Sequence, residues 1–508
     1  VNITALLDHW KISDNPFRAE EARHDAVFQR LDPVAITHPD FEKVVGDLSR
    51  PGAAIVFGEK GSGKTAIRLQ LAERISRFNE ANPEARVLLV AYDDLNPFLD
   101  RLLAVVRPAK GDDPRDTRKK LAQLRLTDHL DGVLNVASTR VVDLILSGDP
   151  EAGGEPGWKA LRRASPAVRR DAQVIQALYD RADSHESRAG DLRRKARVPG
   201  NTHRLLWKSL ALLGWLLPAA VAAGALAVPR DVIGPRLWLW ILIGAGVVWA
   251  SLLAKWFLWD AWLTRHKAAR LVRALRVVGR QTDTLARVIE RIPPAEREGA
   301  SLPTDDSDEK RYTQFARLRR VLSAIGYRSM VIVIDRVDEP TCISGDADKM
   351  RTVVWPLLSN KFLQQEAVGV KMLLPVELRH ELMRESSAFF QEARLDKQNF
   401  IERLTWTGSS LYDLCNARLR ACRAPDAGKI ELTDLFEDDV TRQDLIDALD
   451  QMRQPRDAFK LLYQCLAEHA SNVTEQAAKM RVPRLVLETV RKQQAERLQM
   501  LQRGYRPA

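Results

Sequence analysis

The residues with the clearest capacity for chemistry are Gly58-Glu59-Lys60-Gly61-Ser62-Gly63-Lys64-Thr65. They fit G-x-x-x-x-G-K-[ST] in full, the pattern of a loop that wraps phosphates. Glycines let successive backbone N–H groups turn inward as an anion nest, and a following helix N-terminus adds partial positive charge. Lys64 is expected to reach the β- and γ-phosphates of ATP, and Thr65 to hold Mg²⁺. The apolar run Ala53-Ala54-Ile55-Val56-Phe57 reads as a buried strand leading into the loop. Ile67, Leu69, Leu71, Ala72 and Ile75 follow it at helical spacing.

A second constellation lies far downstream. Met330-Val331-Ile332-Val333-Ile334 is a β-branched run that ends in Asp335. After a complete phosphate loop, such a strand reads as Walker B, whose carboxylate holds the Mg²⁺. Arg336-Val337-Asp338-Glu339 follow. Asp338 or Glu339 is the expected group that polarises the attacking water, with Asp93 as a weaker alternative. Three arginines are candidates to meet the charge on a transferring phosphate: Arg456, Arg403 and Arg336.

Other elements must position these groups. Arg86–Tyr92 and Val368–Leu374 read as core strands, and Phe400–Leu404 as a short last one. Asp128–Leu146 reads as a helix, and 107–117 and 148–165 as loops rich in Gly, Pro, Asp and Glu. Gln454-Pro455-Arg456-Asp457 begins a helix in a C-terminal helical segment. Residues 1–50, with Asp14-Asn15-Pro16-Phe17 and the capped stretch Pro39–Val44, form a lead-in expected against the adenine side or as plain surface.

The chain has 508 residues, too many for one ordinary domain. Its net charge of +11 suits either nucleic acid or an anionic membrane surface. The cysteines Cys342, Cys415, Cys422 and Cys465 form no C-x-x-C pair and read as ordinary thiols of a reducing compartment. The first thirty residues are mixed polar and do not read as a signal peptide.

Between the two constellations the composition changes. Ser209–Val228 and Leu237–Ala254 carry no charge, and each is long enough to cross a hydrocarbon core of about 30 Å as a helix. Trp207, Trp215, Trp238, Trp240, Trp256, Trp259 and Trp262 gather mainly at their ends, as an aromatic belt does. Arg193, Arg194, Lys195, Arg197, Arg204 and Lys208 precede the pair; Lys255, Arg265, Lys267, Arg270, Arg273 and Arg276 follow it. The positive-inside rule therefore puts both flanks, both termini and the phosphate loop in the cytoplasm. The charged stretch 166–198 carries Ile175, Leu178, Ala182, His185, Ala189, Leu192 and Ala196 at steps of three and four. It reads equally as a heptad seam or as one amphipathic helix on a core. Residues 262–292 mirror it, which suggests an antiparallel stalk. Residues 293–309 read as a flexible linker.

With Walker A, a two-helix membrane insertion and then Walker B, the chain resembles the KAP family, a membrane-embedded branch of AAA+/STAND P-loop NTPases. The resemblance covers roughly residues 50–470 and rests on motif order. It implies an α/β P-loop NTPase core with a parallel sheet, interrupted by a transmembrane hairpin and closed by a C-terminal helical lid around Pro455-Arg456-Asp457. The family's Asp-Asp-Leu-Asp-Arg stands here as Asp335-Arg336-Val337-Asp338-Glu339, with Arg336 in place of the second acid. The expected division is a lead-in over 1–50, core over 51–150, insertion over 151–309, core over 310–405 and lid over 406–508. The expected function is a plasma-membrane-anchored, Mg²⁺-dependent ATPase switch or scaffold. It is expected to be homo-oligomeric, and the resemblance alone implies a protein partner in bacterial anti-phage defence or signalling. A nucleic-acid-stimulated ATPase tethered to the membrane is the alternative reading, with nucleic acid the disfavoured partner. A transport ATPase is disfavoured because neither span carries an ionisable residue.

Overall fold

The computed structural model describes residues 3–18, 22–31, 36–107, 113, 116–148, 156–181, 183, 185–200, 202–227, 235–290, 292, 302–424, 427–472 and 480–502. The chain divides into two units. The first comprises Val1–Asn82, Arg86–Asp94 and Ser329–Ala508; the second comprises Pro83–Ala85 and Leu95–Arg328. The insertion thus begins at Leu95, well before the expected position 151.

The first unit is α/β. Its sheet has five strands: β1 Ala54–Gly58, β2 Arg86–Tyr92, β3 Tyr327–Ile334, β4 Val368–Pro375 and β5 Asn399–Ile401. They lie in the order β2-β3-β4-β1-β5. β4 runs parallel to both β1 and β3, with Gly58 opposite Pro375 and Ile334 opposite Met372. All residues of β1 and β4 are buried, which is why neither alternates apolar with polar; in β4 the one charged residue, Lys371, is buried with the rest. β5 is shorter than the expected Phe400–Leu404, but Leu404 N still donates to Phe57 O at 2.8 Å just beyond the strand. In open parallel sheets, ligands bind at the carboxyl ends of the strands. Here those ends carry Gly58 at the end of β1, Asp93 after β2 and Asp335 after β3.

One core of this unit joins Val56, Val331, Val333 and Leu373 of the sheet to Phe41, Val44 and Val45 of the helix Phe41–Val45. Ile67, Leu71 and Ile75 of the helix Lys64–Ala81 complete it. A second core is helical. It gathers Leu411, Leu419, Leu445, Leu449, Leu461 and Val490 from the C-terminal helices and Leu6, Leu7, Ile12, Phe17 and Val27 from the chain start. Leu6, Leu7, Ile12, Phe17 and Val27 of the expected lead-in therefore pack with the C-terminal helices. Ser13 N donates to Cys422 O at 2.8 Å, and Trp10 Nε1 to Met480 O at 3.0 Å.

The second unit is helical. Its helices include Leu126–Ser147, Pro166–Tyr179, His185–Lys195, Thr282–Ile289 and Asp308–Ala324. The heptad-seam and stalk readings do not hold. The helix from Pro166 stops at Tyr179, and Asp171 through Tyr179 are buried all round. The mirror segment is likewise broken between Ala274 and Thr282. A seam needs an uninterrupted helix with one apolar stripe. Here burial is made tolerable by ion pairs instead: Arg311–Asp131, Arg317–Asp171 and Arg188–Asp180, at 3.1, 3.0 and 2.8 Å.

Two helices of this unit are long and apolar enough to span a membrane: Leu205–Ala227 and Pro235–Ala274. In the most apolar 18-residue stretch of each, only 6% is buried by protein, whereas Thr264, Ala268 and Leu271 further along the second are buried. The first has a break at Gly214-Trp215, where Trp249 Nε1 donates to the Ala211 carbonyl at 3.0 Å. The second contains a π-helical turn over Lys255–Trp259, and Lys255 Nζ lies 3.3 Å from the centre of the Trp207 ring. The expected turn between the spans falls within 228–234, outside the described residues. So do 293–301 of the expected linker, and 108–112, 114–115 and 149–155 of the expected loops.

Candidate functional site

The loop after β1 has the backbone its glycines make available. Gly61 and Gly63 take φ of +99° and +100°, a left-handed conformation that residues with a Cβ avoid. A Cβ at Gly58 would run into Ser62 Oγ. The helix Lys64–Ala81 starts on Gly63, so its unpaired N–H groups face the loop.

A cavity of about 300 Å³ opens over this loop. Glu59, Lys60, Gly61, Gly63, Lys64 and Thr65 line one wall, and Asp335, Arg336, Asp338, Glu339 and Arg456 line another. A third wall is apolar, with Phe28, Leu31, Ile36, Trp406, Leu414 and Phe459. Residues 270 and more positions apart in sequence are thereby brought together, because β1 and β3 flank β4 in parallel and both end toward the same edge of the sheet, Gly58 opposite Pro375 and Ile334 opposite Met372.

Lys64 folds back onto the loop, where its Nζ donates to Gly58 O at 2.6 Å and to Glu59 O at 3.1 Å. Burial lowers its pKa, while Asp335 and Asp338 act the other way. Asp335 is buried at the end of β3, and burial pushes its carboxyl up to about 6 against the pull of Arg68. Its Oδ1 accepts from Arg336 N at 2.9 Å; its Oδ2 and the buried Ser62 Oγ make no hydrogen bond among the described residues.

The candidates for water activation separate. Glu339 is ion-paired to Arg336, a residue held at φ +60°, and is half-exposed. Asp338 lines the cavity close enough to Lys64 to act on its charge. Asp93 is engaged by Arg68. The arginines separate as well. Arg403 is not a cavity-lining residue; it pairs with Glu59 of its own chain. Arg456, at the start of the helix Pro455–Asn472, lies on the loop, and a Cβ at Gly61 would sit 2.9 Å from Arg456 Cβ.

Sequence reasoning missed several members. Trp406 Nε1 donates to Ser62 O at 2.9 Å and packs edge-on to His38 with ring centres 5.0 Å apart. Gln454 donates to Glu59, tying the residue before the Pro455 helix to the loop. Arg418, buried at the back of the cavity, donates to Asp25 Oδ2 and to Pro16 O, both at 2.6 Å. None of these belongs to a spaced motif, so only composition near the motif could have hinted at them.

The donor set fits a nucleotide and its metal. Inward-turning glycines at a helix start suit phosphate oxygens. Mg²⁺ is usually held by one or two carboxylates together with substrate phosphates and waters, which suits the buried Oδ2 of Asp335, without a hydrogen bond among the described residues, in a cavity that Thr65 also lines. The fold and site define an α/β protein whose parallel sheet presents a glycine loop, a lysine and a buried carboxylate to one cavity. No family model, curated protein or solved structure matches the chain.

Proposed function

We propose that the chain is a membrane-anchored P-loop ATPase of the KAP/STAND type, acting as a switch or scaffold. The observation that carries this reading is the meeting, in one cavity, of the left-handed glycine loop with Lys64, Asp335 and Asp338. In this reading the loop N–H groups of 58–65 cradle the phosphates. Lys64 leaves the carbonyls of Gly58 and Glu59 for the β- and γ-phosphates. Thr65 and Asp335 hold Mg²⁺, which neutralises charge on the β- and γ-oxygens when bound. Asp338 orients the attacking water. Arg456, already against Gly61, meets the γ-phosphate from its own chain. The apolar wall of Phe28, Ile36 and Phe459 suits the flat face of a base.

The two apolar helices anchor the unit that carries them in the plasma membrane. The arginines and lysines on both flanks favour a cytoplasmic ATPase and cytoplasmic termini. Self-association and a protein partner in defence or signalling follow from the family resemblance. The test is isothermal titration of ATP into the detergent-solubilised chain. Lys64→Ala is expected to weaken binding by tenfold or more, roughly 1.4 kcal/mol; unchanged affinity overturns the reading.

A further inference from the structure

Arg68 sits one turn past Lys64 in the loop helix, between two carboxylates. Asp93 follows β2 and Asp335 follows β3, and these strands are neighbours. The guanidinium is shared unequally. It is hydrogen-bonded to Asp93 Oδ2, whereas its Nε stands 3.7 Å from Asp335 Oδ2. Arg23 adds a second cation to the same Asp93 oxygen at 3.8 Å. Among the described residues, the Asp335 oxygen facing Arg68 is buried and makes no hydrogen bond, and the Nε facing it makes none either. Guanidinium and carboxylate normally close to about 2.7–2.9 Å, because a charge-assisted hydrogen bond is among the strongest a protein can form. Across 3.7 Å in a buried site, that bond is being withheld.

We infer that Arg68 is a positioning residue for the carboxylate proposed to take the metal. Asp93 anchors the guanidinium so that it balances the charge of Asp335 without occupying Oδ2. That oxygen carries no hydrogen bond, among the described residues, for a compact divalent cation to displace on taking it as a ligand at about 2.0–2.1 Å. The inference rests on the reading of this cavity as a Mg²⁺-nucleotide site.

Removing the anchor's charge should let Arg68 close on Asp335, so that Mg²⁺ must first break a charge-assisted hydrogen bond. The experiment titrates Mg²⁺ into the full-length chain in detergent with a fluorescent ATP analogue, and repeats analogue binding in EDTA. In Asp93→Asn the half-saturating Mg²⁺ concentration should rise by about tenfold or more, the scale of one hydrogen bond to a charged group. Binding in EDTA should be unchanged. Asp93→Glu should restore the normal Mg²⁺ requirement. Arg68→Met, which keeps the aliphatic stem, should need no more Mg²⁺ than the parent. The double variant Arg68→Met/Asp93→Asn should match Arg68→Met, since Asp93 acts only through Arg68. An unchanged Mg²⁺ requirement in Asp93→Asn overturns the inference. So does a double variant that keeps the Asp93→Asn defect, or an equal loss in EDTA. If the parent shows no Mg²⁺-dependent analogue binding at all, the site reading itself falls, an outcome distinct from the others.

Discussion

Arg456 lies directly over Gly61: its Cβ would be 2.9 Å from a Cβ placed on that glycine, and its Nε 3.4 Å. The first turn of the helix Pro455–Asn472 is thus seated on the glycine loop of the same chain. Gln454, one residue earlier than Pro455, reaches Glu59 in the same loop. If the loop holds ATP as proposed, an arginine so placed would meet the γ-phosphate from its own chain.

Arg456→Ala should therefore lower ATP hydrolysis by more than tenfold, roughly 1.4 kcal/mol of transition-state stabilisation, with ATP still bound. Mixing Arg456→Ala with Asp335→Asn chains should not restore the rate. Recovery on mixing would show that the arginine acts across subunits.

Gly61→Ala tests the loop conformation. At φ +99° an added Cβ is strained whatever space surrounds it, and here it also meets Arg456. The strain costs more than about 1 kcal/mol. Titration calorimetry should show ATP affinity reduced at least as far as in Lys64→Ala, with the far-ultraviolet circular dichroism of the parent retained.

Lys371 gives a pH signature. It lies buried in β4, its Nζ donating to Val45 O at 3.0 Å, and burial lowers its pKa to about 8. The unfolded chain holds this proton up to its ordinary value near 10.5, so between those limits the unfolded state binds more protons and stability rises with pH. The full gain is on the order of 3 kcal/mol. The thermal midpoint of the first unit should climb from pH 8 to pH 10, and Lys371→Met should remove that climb.

In the second unit, Arg311 and Asp131 are fully buried, and Tyr179 Oη donates to the same carboxylate at 3.0 Å. Burial nonetheless pushes Asp131 up to about 6. Arg311→Met should destabilise by about 3–5 kcal/mol, because it strands a buried acid. Arg311→Met/Asp131→Leu should recover much of that loss. Urea titrations of the two variants decide it; a double variant no better than the single one would mean that Arg311 matters through its bonds to the Ala274 and Ser307 carbonyls instead.

The apolar hairpin predicts an integral protein. The intact chain should stay in the membrane pellet through alkaline carbonate. Replacing Ser209–Ala254 by a short Gly/Ser bridge should release it to the supernatant. Release of the intact chain would exclude the span assignment.

What the sequence determined by itself is what is written in local pattern. The mainly apolar runs at Ala53–Phe57, Arg86–Tyr92 and Val368–Leu374 became strands almost to the residue; β1 and β4 are buried throughout, so no polar alternation blurs their ends. The glycine spacing of the 58–65 loop and the two uncharged spans are local for the same reason. Only the tertiary structure decided which side chains join them. Trp406 meets Ser62 across 344 positions and Gln454 meets Glu59 across 395, and such pairings leave no periodicity. It also paired Arg403 with Glu59, away from the cavity lining, and Glu339 with Arg336, while Asp338, Glu339, Arg336 and Arg456 all line the cavity. It dissolved the heptad seam as well: the spacing was real, but Asp171 through Tyr179 of the helix Pro166–Tyr179 are buried all round, polar Asp171 and Gln173 included. Periodicity reports which residues share a face; only the neighbours report whether that face meets a partner helix, a core or a buried charge.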